Sequence, residues 1–343
     1  MEATGDHAAG ALDVLAVNGQ IGHAAIVREP LAGFWRRRVM RFLLSATALV
    51  LLVSAANAKA PEPPDEVAVV ETGRAPCGLA AFGGELWVGV YEAGMVLRLD
   101  PAGRVQRRHR VGRWACQVAV DERAAWVTRD NADEVVRIEP RSGALKRIRI
   151  ASPLDVTLAA RSAWVTSFET GMVTRIDART GRVSQRWRVG GRPTGITVCG
   201  GKLWVGHGRD ATWLTSIDLH KGRTRRLDVV VRTPRMPQCI DGELWVTTED
   251  TALRVSPRTG EVLGHFALGE TLAEAGLARS AISGARMIWV TNKERSLVHR
   301  IDPVSGRVVD SFPAGPGALA QARFGGSVWI SSFAGTDVRR FDP

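Results

Sequence analysis

Pro193-Thr194-Gly195-Ile196-Thr197-Val198-Cys199, then Leu203-Trp204-Val205, a loop from His207 to Thr212, Trp213-Leu214-Thr215-Ser216-Ile217-Asp218 and a basic run from Arg223 to Val231 make up the most informative stretch of the chain. It holds four short segments rich in β-branched and aromatic residues, separated by turn residues, with no 3.6-residue helical period. They read as strands a, b, c and d of one supersecondary unit. The apolar-Trp-Val step at its centre recurs at Trp87, Trp126, Trp164, Trp204, Trp245, Trp289 and Trp329, with spacings of 39, 38, 40, 41, 44 and 40 residues. A β-rich unit repeated at that period predicts an all-β, seven-bladed β-propeller with four-stranded blades, strand a lying at the axis and strand d outermost. Strands a and b are nearly all apolar because both of their faces pack against neighbouring blades.

The turn between strands c and d repeats as Asp100-Pro-Ala-Gly103, Glu139-Pro-Arg-Ser-Gly143, Asp177-Ala-Arg-Thr-Gly181, Asp218 to Gly222, Ser256-Pro-Arg-Thr-Gly260 and Asp302-Pro-Val-Ser-Gly306. Proline presets φ near −65°, the acidic side chain closes a local turn, and glycine accepts positive φ, so a mechanical role is expected. The seventh unit stops at Asp342-Pro343, one strand short, while Val67 to Gly73 reads as an isolated outer strand. That N-terminal strand is expected to complete the last blade and close the ring, which removes an unpaired edge.

Ahead of the repeats, Trp35-Arg36-Arg37-Arg38 and Arg41 precede an apolar run from Phe42 to Ala56, followed by the small-x-small patterns Ala56-Asn57-Ala58 and Ala58-Lys59-Ala60. This is the order of a cleaved export signal. The run is shorter than the roughly 20 residues of a membrane span, so no stable span is expected after cleavage. The expected organisation is an N-terminal extension (1–39, or an over-called start, since Met40 can initiate), a signal peptide (40–60), a linker (61–65) and the propeller (66–343). Localisation is then secreted or periplasmic. No cysteine stands at the cleavage site, which argues against a lipid anchor.

With 45% hydrophobic and 24% charged residues the chain has ample material for a core, and disorder is excluded for most of it. Its net charge is +11; 6 basic and 4 acidic residues precede position 61, leaving +9 on the remainder. Such a balance favours polyanionic partners.

Repeats of the form Leu-Trp-Val, x-Arg-Ile-Asp-Pro-x-Thr-Gly-x-Val and Gly-x-Pro-x-Gly-Ile, as in Gly190 to Ile196, resemble those of YVTN or YncE-type β-propellers of exported bacterial proteins. The resemblance covers residues 66 to 343. It implies the fold but no single activity, because that superfamily spans sensors, binding scaffolds, quinoprotein subunits and streptogramin lyases. WD repeats match less well, since the Gly-His and Trp-Asp landmarks are absent. Similarity to the lyases implies a channel-face histidine, acidic residues and a metal, Mg2+. The segments where that histidine is expected read Pro76-Cys-Gly-Leu, Pro193-Thr-Gly-Ile and Pro237-Gln-Cys-Ile, without histidine.

In a propeller the d-to-a and b-to-c loops surround one mouth of the axial channel. Arg74, Arg113 and Arg232 lie thirteen residues before their tryptophans and Arg192 twelve before, with Arg235 a fifth basic candidate. Gathered guanidinium groups suit carboxylate, phosphate or sulfate; the alternative is solvated loop arginines. Glu92, Glu169, Asp250 and Glu294 stand five residues after their tryptophans, with Asp130, Glu249 and Asp210 nearby. They either neutralise the arginines or, with His207, act as acid, base or metal ligands; His207, Asp210 and Glu169 are the weak catalytic candidates. Tyr91, Trp114, Phe168 and Phe333 add aromatic surface, by stacking on a ligand or by packing across the mouth. Arg107 to Arg110, Lys146-Arg147, Arg186 to Arg188 and Arg225-Arg226 make the outer strands basic, which either attracts polyanions or protects sheet edges from aggregation.

Cys77, Cys116, Cys199 and Cys239 all fall in or at the start of innermost strands. The one-residue offset of Cys199 and Cys239 in adjacent blades can turn them toward each other; Cys77 and Cys116 have identical offsets, which makes their bonding less certain, and buried free thiols remain the alternative. No metal or haem motif is present. The expected function is an exported, non-catalytic binding or scaffold propeller, a monomer without cofactor, whose basic top-face funnel receives an anionic small molecule, glycan or protein segment. Nucleic acid is the weaker partner. The alternative is a lyase of the streptogramin-lyase type.

Overall fold

The computed structural model describes residues 62–208, 211–268, 281–284 and 286–343. The expected extension and export signal lie outside them, as do Pro61 and Asp210. Seven antiparallel sheets of four strands follow one another around a ring. The innermost strands are Pro76–Phe82, Ala115–Val120, Pro153–Ala159, Pro193–Cys199, Met236–Ile240, Ala281–Gly284 and Ala318–Phe324, for blades 1 to 7. In blades 1 to 6 each sheet is consecutive in sequence. The seventh takes its outer strand, Asp65–Glu71, from the other end of the chain, where it pairs antiparallel with Asp337–Asp342. Among the described residues no helix is long and apolar enough to cross a membrane.

All seven repeat tryptophans are at most 1% exposed, each sandwiched between blades. Trp164, Trp204 and Trp329 donate their indole N–H to the carbonyl of the residue five earlier, at 3.2 Å. An arginine on strand c faces the tryptophan in six blades, the cross-strand partners being Trp87 with Arg98, Trp126 with Arg137, Trp164 with Arg175, Trp245 with Arg254, Trp289 with Arg300 and Trp329 with Arg340. Several reach across to the next blade's outer turn: Arg98 donates to Pro140 O at 2.8 Å and Arg137 to Ala178 O at 3.0 Å. In blade 4 Ser216 replaces the arginine, and Lys202 from strand b takes over, its Nζ donating to Arg258 O at 2.6 Å. The c-to-d turns close as their residues dictate, with Asp100, Asp177, Asp218 and Asp302 accepting backbone N–H groups of their own turn. Those bonds, with the Thr180 hydroxyl the larger cause at Asp177, hold the four carboxyls below the usual carboxylate range.

Two residues after each tryptophan a second latch repeats. Thr128, Thr166, Thr291 and Ser331 hydroxyls donate to carbonyls at the start of the next blade's strand a, namely Leu154, Thr194, Leu319 and Cys77, at 2.6–3.1 Å. In blades 1 and 4 the position is Gly89 and Gly206, where a Cβ would land on the carbonyl oxygens of Cys116 and Arg235. These are the two blades tied to their successors by disulfides, Cys77–Cys116 and Cys199–Cys239, with Cα atoms 4.9 and 5.4 Å apart.

Candidate functional site

The innermost strands leave an axial channel with a cavity of about 220 Å³, walled by residues such as Gln117, Val156, Ile196 and Gln321. Above it, at the mouth framed by the d-to-a and b-to-c loops, a pocket of about 190 Å³ is lined by Cys77, Tyr91, Cys116, Gln117, Asp130, Leu154, Asp155, Met236, Lys293, Leu319 and Phe333. The two share Gln117, Asp155, Met236 and Leu319 as a common wall. Tyr91, Asp130, Lys293 and Phe333 all stand four residues after their tryptophans. The acidic positions read from sequence are one residue later, and a one-residue step in extended chain turns the side chain to the other side.

Three polar features give the pocket its electrostatics. Asp155, on the wall, accepts the N–H of Val156 at 2.8 Å and of Ile196 in the next blade at 2.9 Å. Burial outweighs these two bonds and pushes its carboxyl up to about 7. The Tyr91 hydroxyl donates to Asp130 at 3.1 Å and accepts from the Asn131 amide at 2.7 Å. Burial, then the Asp130 charge, pushes the phenol up to about 12, and burial also raises Asp130. The Lys293 ammonium lies 4.5 Å from the centre of the Phe333 ring, which in turn packs against Tyr91 at 5.7 Å. Lys293 forms no ion pair among the described residues.

The five arginines singled out from sequence surround the mouth without lining this pocket. Three are paired with carboxylates: Arg74 with Glu92 at 3.0 Å, Arg192 with Glu169 at 3.4 Å, and Arg235 with Glu249 at 3.4 Å. Arg192 also stacks over Phe168 at 5.4 Å. Arg235 is only 7% exposed; burial lowers its pKa, opposed by the charges of Glu249 and Glu294. Arg113 is exposed, its guanidinium 5.8 Å from the Trp114 ring, and Arg232 is also exposed. Asp250 accepts the hydroxyl of Thr251 at 2.8 Å inside its own turn.

His207 is fully buried, with Nε2 2.9 Å from the Thr215 hydroxyl and its ring 5.2 Å from that of Trp213. Burial pushes its pKa down to about 4. Glu169, the other described member of the catalytic trio, is engaged by Arg192. Among the described residues no three His, Cys, Asp or Glu side chains are grouped to hold a metal ion.

No family model and no curated protein matches the chain. Solved structures do match it. A streptogramin B lyase superposes with a TM-score of 0.67 at 16% identity, covering 81% of this chain and 96% of the lyase. BamB from Moraxella catarrhalis gives 0.62 at 13% identity, over 82% and 100% of the two chains. Hydrazine synthase from Kuenenia stuttgartiensis gives 0.66 at 14% identity, over 80% and 97%. At these identities the likeness establishes a shared β-propeller fold, within which activities differ.

Proposed function

We propose that the protein is an exported, non-catalytic binding propeller of the YVTN type, and that its channel mouth receives the anionic end of a small ligand or partner segment with an apolar body. The observation that carries the reading is Lys293, a cation on the wall of an otherwise largely apolar pocket, without an ion-pair partner among the described residues. Asp155, half protonated near neutral pH, can donate a hydrogen bond from the same wall. The ion-paired arginines at the rim serve to shape the opening and to add to the positive field that draws anions in. Export is supported by two disulfides beside an N-terminal export pattern, since cross-links of this kind persist in oxidising compartments.

The test is isothermal titration with a panel of small aromatic and aliphatic carboxylates, indole-3-acetate among them. Binding by the wild type should weaken about tenfold or more in Lys293→Ala, the scale of one charge-assisted hydrogen bond. Equal affinity of the two proteins for every carboxylate bound removes the mouth from consideration. Turnover of a streptogramin by the wild type, abolished in His207→Ala, would instead support the lyase reading.

A further inference from the structure

The outer strands of blades 1 to 4, Val105–Arg110, Leu145–Arg149, Val183–Arg188 and Thr224–Asp228, are strongly basic, whereas those of blades 5, 6 and 7, Val262–Ala267, Val308–Pro313 and Asp65–Glu71, contain no Lys or Arg. Relative to the buried residue of each strand, the preceding position reads Arg108, Arg147, Arg186, Arg226, His265, Ser311 and, by its pairing in the closing blade, Val69. Only part of this charge is structural. Arg107, Lys146 and Arg225 donate to turn carbonyls of the next blade. Arg108, Arg110, Arg149, Arg186 and Arg188 are exposed, and their guanidinium groups engage no hydrogen bond or ion pair among the described residues.

Within this basic half-circumference the grooves between blades are filled differently. Between blades 1 and 2, Glu134 is clasped by Arg129 and Arg147. Between blades 3 and 4, Trp213 fills the space, with His207 beside it and Arg226 stacked 4.0 Å over its ring. Between blades 2 and 3 the corresponding residue is Met172, which brings neither charge nor bulk. A cavity of about 190 Å³ remains, lined by Arg149, Arg186 and the hydroxyl-bearing Ser167, Thr170 and Thr174. Ser167 and Thr174 are buried, and the Thr170 hydroxyl lies 3.5 Å from Ser167 O.

We infer that this groove is an oxyanion site, independent of the channel mouth, and that it holds a sulfate or carboxylate group of a flexible acidic glycan chain lying along the basic rim. Two guanidiniums with convergent hydroxyls suit an oxyanion. The occupant follows from shape and composition. A flat bilayer touches a convex rim only along a tangent, and duplex DNA, with a persistence length of about 50 nm, does not follow one. A single-stranded nucleic acid draws on aromatic stacking platforms, whereas Trp187 is 9% exposed and Trp213 is covered by Arg226.

The experiment is calorimetric titration of the purified protein with a heparin-derived hexasaccharide at fixed ionic strength. Arg149→Ala/Arg186→Ala should weaken binding about tenfold or more, while Arg108→Ala/Arg110→Ala, removing equal charge from blade 1, should cost less than about threefold. Met172→Glu installs the carboxylate that blade 2 already carries, so it should abolish binding while leaving the unfolding temperature at or above that of the wild type. The assignment is overturned by absence of binding, by equal losses in the two double variants, or by a Met172→Glu protein that is folded and still binds. Tighter binding of a single-stranded dodecanucleotide through the same arginines would overturn the glycan assignment.

Discussion

Asp155 and His207 show how burial alone separates two titratable groups from their ordinary behaviour. The Asp155 carboxyl, raised to about 7 in the fold against about 3.9 unfolded, binds its proton more tightly when folded. Its contribution to stability is therefore fully present below pH 4 and is lost as pH rises through 7, by at most about 4 kcal/mol and less where channel water solvates it. Asp155→Asn, which gives up one of the two N–H bonds that the carboxyl accepts, should melt below the wild type near pH 4 and gain on it increasingly toward pH 8; parallel profiles for the two proteins would show that the carboxylate ionises normally. His207 has the opposite sign. Its pKa is depressed to about 4, so the stability it contributes is present above pH 6.5 and lost as pH falls toward 4. Neither residue announces this in sequence, because desolvation depends on what other blades place around it.

Along each strand, single positions repeat with interblade duties. The hydroxyl two residues after the tryptophan is one such position, and Thr166→Val, which orphans the Thr194 carbonyl, should cost about 1–3 kcal/mol by denaturant melting. Gly206 offers no hydroxyl, and its blade has both the Thr194 hydroxyl bond to Arg235 O at 2.6 Å and the Cys199–Cys239 cross-link. Replacing both cysteines by serine should cost about 2–4 kcal/mol, whereas variant and wild type should match under reducing conditions, where Cys77–Cys116 is open in both. No difference between variant and oxidised wild type would mean the cross-link adds nothing to the packed interface.

At the scale of the ring, closure rests on ten residues at the N-terminal end of the described chain. Asp65–Glu71 pairs with Asp337–Asp342, Arg339 binds Glu66 at 2.8 Å, and Arg300, itself paired with Asp310, donates to Glu62 O at 2.6 Å. Removing residues 62–71 leaves the last blade with an open edge and should lower the unfolding temperature and promote aggregation. Arg300→Ala, which leaves the half-buried Asp310 without its partner, should cost about 1–3 kcal/mol. A truncated protein that melts with the wild type would place closure elsewhere.

The all-β class, the number of blades and the N-terminal closing strand were legible because packing a tryptophan between sheets imposes the same local sequence seven times. Turn chemistry was legible for the same reason, since Asp100, Pro101 and Gly103 act within a few residues of one another. The arginines and acidic residues at the mouth could be found but not their pairing, because Arg74 meets Glu92 within its blade whereas Arg192 meets Glu169 of the preceding one. Lys293 and Asp155 carried no local signal, and neither did the unfilled groove beside Met172. Their environments are made by chain segments far apart in sequence, and only the closed ring brings those segments within reach of one another.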